Sequence, residues 1–72
     1  MTTDLTPRQI ECLRLAAIGY TNTGIAHQLG MTRNTVRTHL QAVRDAIGAR
    51  NTTHAVAIGA VTGLITADHL HQ

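Results

Sequence analysis

Apolar residues recur along this chain at helical intervals, and the clearest case is Val36, Leu40, Val43 and Ile47, spaced four, three and four apart. That spacing stacks them on one side of a helix and marks the side for burial. Thr32 before it suits an N-cap and Gly48 after it suits the left-handed position that ends a helix, so the pattern predicts a helix from Thr32 to Gly48. Arg33, Arg37, Gln41 and Arg44 follow the same rhythm one face over, with Asn34 and Thr38 beside them. Taken alone, this polar stripe reads equally well as a solvated surface.

The flanking pattern predicts three more helices and no strand, hence an all-α fold. Thr6-Pro7-Arg8-Gln9 has the form of a capping box with proline at the first helical position. The helix it opens runs to Gly19, with Cys12, Leu13, Ala16 and Ala17 as its expected buried side. A short second helix is expected from Asn22 to Leu29, capped by Thr21, with Ile25, Ala26 and Leu29 inward. Gly24 inside it costs roughly 1 kcal/mol relative to alanine, so packing has to hold this helix. Gly30-Met31 then turns directly into Thr32. A fourth helix is expected from Thr53 to Thr62, capped by Asn51 or Thr52 and closed by Gly63. Ala55, Val56 and Gly59 fall on one side of it, toward the other helices. Ala57, Ile58 and Val61 fall on the opposite side, with His54 beside them, and a small domain offers that side no second core. Self-association through His54, Ala57, Ile58 and Val61 follows as an expectation, with Gly59, Gly63 and the alanines permitting close helix approach.

Composition narrows the picture. Seventy-two residues make one domain that buries only about 60% of the surface its unfolded chain exposes. Phe and Trp are absent and Tyr20 is the sole aromatic, so the core is built from small aliphatic side chains. All six cations are arginines, against four acids, a formal charge of +2 that supports nucleic-acid binding more by its placement than by its size. With one cysteine, Cys12, no internal disulfide forms; the thiol reads as a small core residue, and a reducing cytoplasmic setting is expected. No apolar run is long enough to span a membrane, and the first residues lack the charged and apolar regions of a secretory signal. Asn51-Thr52-Thr53 matches a glycosylation sequon only formally. Asp68, His69 and His71 lie close together, but His27, His39 and His54 fall on separate helices without zinc-like spacing, so no metal or other cofactor is expected. The carboxylates and the thiol are scattered, without the converging groups that catalysis needs, so an enzyme is the weakest reading.

A short helix, a glycine-containing turn and an amphipathic helix in direct succession are the order of a helix-turn-helix, whose second helix enters the DNA major groove. At this point Leu5-Thr6-Pro7-Arg8-Gln9-Ile10-Glu11-Cys12-Leu13, Ile25-Ala26-His27-Gln28-Leu29-Gly30-Met31-Thr32, Thr35-Val36-Arg37-Thr38-His39-Leu40, Ala55-Val56 and Gly63-Leu64-Ile65 resemble the LuxR-type DNA-binding domain, the four-helix module of the GerE and NarL kind. The resemblance covers residues 5 to 65, leaving 1–4 as a short arm and 66–72 as a tail. It implies a cytoplasmic, sequence-specific transcriptional regulator that binds double-stranded DNA as a homodimer, with the third helix reading bases and the fourth pairing subunits. Carried over position by position, base contacts fall on Arg33, Asn34, Arg37, Thr38 and Gln41, and phosphate contacts on Thr32, Thr35 and Arg44. His39 is expected to pack or brace the backbone. The chain departs from the family where Gly24 stands in place of a usual Glu, Arg37 in place of a frequent lysine, Gln9 in place of Glu and Ala16 in place of leucine.

Most relatives of this type join the module to a receiver or a ligand-binding domain, for which these residues have no room, so a free-standing regulator and a fragment of a longer one are both open. A second reading is a protein-interaction module that titrates another regulator by mixed pairing through helix four. A region-four sigma-like element shares the central motif, but helices one and four argue against it.

Overall fold

The computed structural model describes residues 5–66 and contains α1 (Pro7–Ile18), α2 (Asn22–Leu29), α3 (Arg33–Ile47) and α4 (Thr52–Thr62), with no strand among the described residues. Each start is capped as the side chains dictate. Thr6 Oγ1 accepts from the Gln9 amide at 3.2 Å while Gln9 Oε1 accepts from the Thr6 amide at 3.0 Å, which closes the capping box. Thr21 and Thr32 cap α2 and α3 through Gly24 and Thr35 amides, each at 3.1 Å. At α4 the cap is Asn51, so the helix begins at Thr52, one residue before the sequence pattern places it.

The first three helices end alike. Tyr20, Met31 and Ala49 amides reach back to the carbonyls of Leu15, Ala26 and Arg44 at 3.1, 3.0 and 2.9 Å, closing the last turn around a glycine. Gly30 and Gly48 hold φ of 64° and 71° there, a region where a side chain is strained. The Gly30 cap turns the chain from α2 into α3 within three residues.

Two apolar clusters make the core. Cys12, Leu15, Ile25, Ala26, Val36 and Leu40 form one, joining α1 and α2 to the first half of α3. Leu13, Val43, Ala55 and Ile65 form the other, joining α1 and α4 to the second half of α3. α1 and α3 thus serve as walls shared by both clusters, and α2 and α4 do not touch each other. This division corrects the expected buried side of α1: Leu15 is 4% exposed, whereas Ala16 and Ala17 are half-buried. A helix covered on two sides buries a broad arc, and Leu15 fills the part of it that α2 and α3 close. Ile47 and Leu29 are likewise half-buried at the cluster edges.

Gly59 faces inward as its place on the helical wheel predicts, but the close approach expected of it is made inside the domain. It is buried inside its own domain beneath Ile65, whose amide donates to the Gly59 carbonyl at 2.9 Å. The close approach it permits is therefore between α4 and its own C-terminal segment, not between two copies of α4.

Candidate nucleic-acid interface

The outward side of α3 carries the site. Packing of Val36, Leu40 and Val43 against both clusters fixes the helix rotation, and this leaves Arg33, Asn34, Arg37, Thr38 and Gln41 exposed on one face. Asn34, Arg37, Thr38, Gln41 and Arg44, with Leu40 behind them, line an open groove of about 270 Å³. Asn22, at the first turn of α2, closes its far side. Among the described residues the ion pairs are Arg8–Glu11 and Arg14–Glu11, both on α1. No carboxylate of the described residues therefore bridges an arginine of α3, and Asp45 is the one acid on that helix.

Several of these side chains are already held. Thr38 Oγ1 donates to the Asn34 carbonyl one turn back at 3.1 Å, which fixes its rotamer. Thr32 and Thr35 hydroxyls lie 2.8 Å apart and bond to each other at the N-terminus of α3. Arg44 is half-buried and spans two helices: Nη1 donates to Thr52 Oγ1 at 3.0 Å on α4, and Nη2 donates to Gln41 Oε1. Gln41 Nε2 in turn donates to Asp45 Oδ1 at 2.9 Å. Among the described residues, two of the five N–H donors of Arg44 are used in this way. His39 is half-buried on the same helix.

A second exposed face lies on α4. His54 and Ala57 are exposed, Ile58 is half-buried and Val61 is 88% exposed. Together with Thr62 they line a shallow hollow of about 230 Å³. His54 does more than line it. Its amide donates to Asn51 Oδ1 at 2.8 Å, and its Nδ1 accepts from the Arg50 amide at 3.0 Å, so the imidazole finishes the cap of α4.

The structure thus brings the expected stripe residues onto one surface and adds three residues that the sequence reading passed over. Asn22 was discoverable from the helix-turn-helix register, since the first helix of the motif crosses the DNA backbone. Asp45 stands four residues after Gln41, a spacing at which such pairs bond on a helix surface. Thr52 carries no sequence signal, because its bond to Arg44 joins two helices. Among the described residues no three His, Cys, Asp or Glu side chains gather as a metal site; Asp68, His69 and His71 lie outside the described residues. No helix among the described residues is long and apolar enough to cross a membrane.

Comparison with known proteins places the chain among bacterial transcriptional regulators by sequence. The family described as bacterial regulatory proteins, luxR family, matches residues 3–58. The chain is 44% identical over 61 residues to the HTH-type quorum sensing-dependent transcriptional regulator VjbR of Brucella abortus, covering 85% of this chain and 24% of that protein. It is 41% identical over 61 residues to the transcriptional activator protein AhyR of Aeromonas hydrophila, with 85% and 24% covered. It is 33% identical over 67 residues to the transcriptional regulatory protein YdfI of Bacillus subtilis, with 93% and 32% covered. The chain spans about a quarter of the length of the first of these relatives.

Proposed function

Because the chain belongs to the luxR family of bacterial regulatory proteins, we propose that it is a cytoplasmic, sequence-specific transcriptional regulator that binds double-stranded DNA as a homodimer, with α3 in the major groove. The observation that carries this reading is the exposed arginine stripe of α3, beside a groove that opens toward α2. Residues 5–65 act as the binding domain.

Arg37, exposed on α3 and in no ion pair among the described residues, reads a guanine through its O6 and N7 acceptors. Thr38 and Gln41 meet a thymine methyl or an adenine edge, and Arg33 and Asn34 extend the reading at the helix start. Thr32, Thr35, the α3 N-terminal amides, Asn22 and Arg44 hold phosphates and set the register. Two copies paired through His54, Ala57, Ile58 and Val61 present their α3 helices to successive major grooves. The bound site then has two-fold symmetry, with half-sites about 10 base pairs apart or a multiple of that.

Selection of bound sequences from a random duplex pool tests binding, symmetry and spacing together. Arg37→Ala is expected to cost about 1 to 3 kcal/mol on the selected duplex and to relax preference at one base position per half-site. Unchanged affinity and preference at both low and high salt would reduce the stripe to a solvated face.

A further inference from the structure

We propose that Asp45 and Thr52 are positioning residues for base reading, acting through Gln41. The inference rests on the DNA-binding reading above and extends it to two residues outside the contact surface. A free glutamine amide turns over readily, and each orientation reads a base edge differently, since oxygen accepts and nitrogen donates. On α3 that freedom is removed. Gln41 Nε2 donates to Asp45 Oδ1 at 2.9 Å, and Gln41 Oε1 accepts from Arg44 Nη2.

A carboxylate only accepts and a guanidinium only donates. Turning the Gln41 amide over would set its NH2 against the Arg44 guanidinium and its oxygen against the Asp45 carboxylate, so both bonds are lost at once. The network holds one orientation. It leaves the amide one N–H and one lone pair, the pair of groups that meets N7 and the N6 amine of adenine. Arg44 is itself held from α4 by Thr52 Oγ1 at 3.0 Å, so the amide is braced from two helices. The charge of Asp45 makes the same point from the other side. A carboxylate on a DNA-facing helix weakens attraction to phosphate for every sequence, which is a cost in affinity that orientation of Gln41 accounts for.

The test uses the 72-residue chain and a random-sequence duplex pool, followed by titration of the selected duplex and its single-base variants. Gln41→Ala identifies the base pair that Gln41 reads. Asp45→Ala is expected to lower preference at that base pair roughly tenfold, with binding to other sequences unchanged or stronger. Asp45→Asn keeps an acceptor and removes the charge, and it is expected to retain most of the preference. Thr52→Val is expected to give a smaller loss at the same base pair, whereas Thr52→Ser behaves as the parent. In the free chain, the side-chain amide of Gln41 is expected to be rigid by heteronuclear NOE in the parent and in Asp45→Asn, and mobile in Asp45→Ala.

Asp45→Ala with undiminished preference overturns the proposal, as does Asp45→Asn behaving like Asp45→Ala, which would make the effect one of charge alone. If Gln41→Ala keeps every preference while Arg37→Ala relaxes one, the proposal falls and the DNA-binding reading stands. A parent chain that enriches no sequence from the pool removes both.

Discussion

Gly59 lies where a Cβ would stand 2.9 Å from Ile65 Cδ1, 3.1 Å from Ile65 Cγ1 and 3.4 Å from Leu13 Cδ2. Ile65 is 3% exposed and Leu13 is fully buried, so neither has room to retreat. Gly24 differs: a Cβ there would meet Tyr20 Cδ2 at 3.2 Å, on a ring that is 37% exposed and free to shift outward. Alanine gains about 1 kcal/mol of helix propensity at either site, whereas overpacking a closed core costs about 1 to 3 kcal/mol. Gly24→Ala is therefore expected to raise stability by about 0.5 to 1 kcal/mol, and Gly59→Ala to lower it by about 1 kcal/mol, a fall of roughly 4–8 °C in Tm. Thermal denaturation followed by circular dichroism reads both, and a stabilised Gly59→Ala would show that Ile65 is not wedged as described. The weakness that Gly24 brings to α2 was legible from residue type alone. The place of Gly59 under Ile65 was not, because it depends on how the segment after Gly63 folds back.

At the scale of elements, α4 has apolar side chains all round, and the structure sorts them: Ala55 and Gly59 inward, Ala57 and Val61 outward, Ile58 between. The helical wheel predicts this division for Ala55, Gly59, Ala57 and Val61, because α4 touches the rest of the domain on one side only, whereas Ile58, expected outward, and Val56, expected inward, are both half-buried. For α1 the same reasoning missed Leu15, since that helix is covered by α2 and α3 on one side and α4 on the other, and a single stripe is the wrong template. The caps are legible at α1, α2 and α3 and narrowed to Asn51 or Thr52 at α4, since each N-cap bond is made within three residues of sequence. The Arg44 bridge to Thr52 was not, because it spans two elements. The outward face of α4 gives a clean test of self-association. Ile58 is half-buried, so a charge there risks the fold, but Val61 at 88% exposure has little packing to lose. Val61→Asp is expected to leave the melting temperature within a few degrees of the parent and to shift a sedimenting dimer to monomer. It is also expected to weaken binding to a two-fold symmetric duplex more than to a single half-site. A parent that sediments as a monomer, or a variant that stays dimeric as the parent does, would count against pairing through this face.

For the molecule as a whole, Cys12 offers a probe of opening that does not depend on DNA. Its side chain is fully buried in the cluster shared by α1, α2 and α3. Burial, with the Glu11 carboxylate nearby, pushes its thiol pKa up, and Arg8 offsets this only in part. The folded state therefore keeps its proton at a pH where the unfolded chain, with a thiol near pKa 8.5, has begun to lose it. Stability from this group is fully present below about pH 8.5 and declines as pH rises through the higher folded value. The melting temperature of the parent is expected to fall more steeply between roughly pH 8 and 10 than that of Cys12→Ala. Alkylation of the thiol needs the core to open. A domain of this size holds about 0.05 to 0.15 kcal/mol of stability per residue, so labelling is expected to be several hundredfold or more slower than in denaturant, on the order of 400-fold at the lower figure. Binding connects this measurement to function, because DNA that engages only the folded domain stabilises it by mass action. A selected duplex at about a hundred times its Kd adds about 2.7 kcal/mol, which slows labelling by roughly another hundredfold when opening and closing are fast. Rapid labelling of the free chain would mean that the first cluster opens locally, and equal labelling with and without duplex would mean that the DNA engages the open form as well as the closed one.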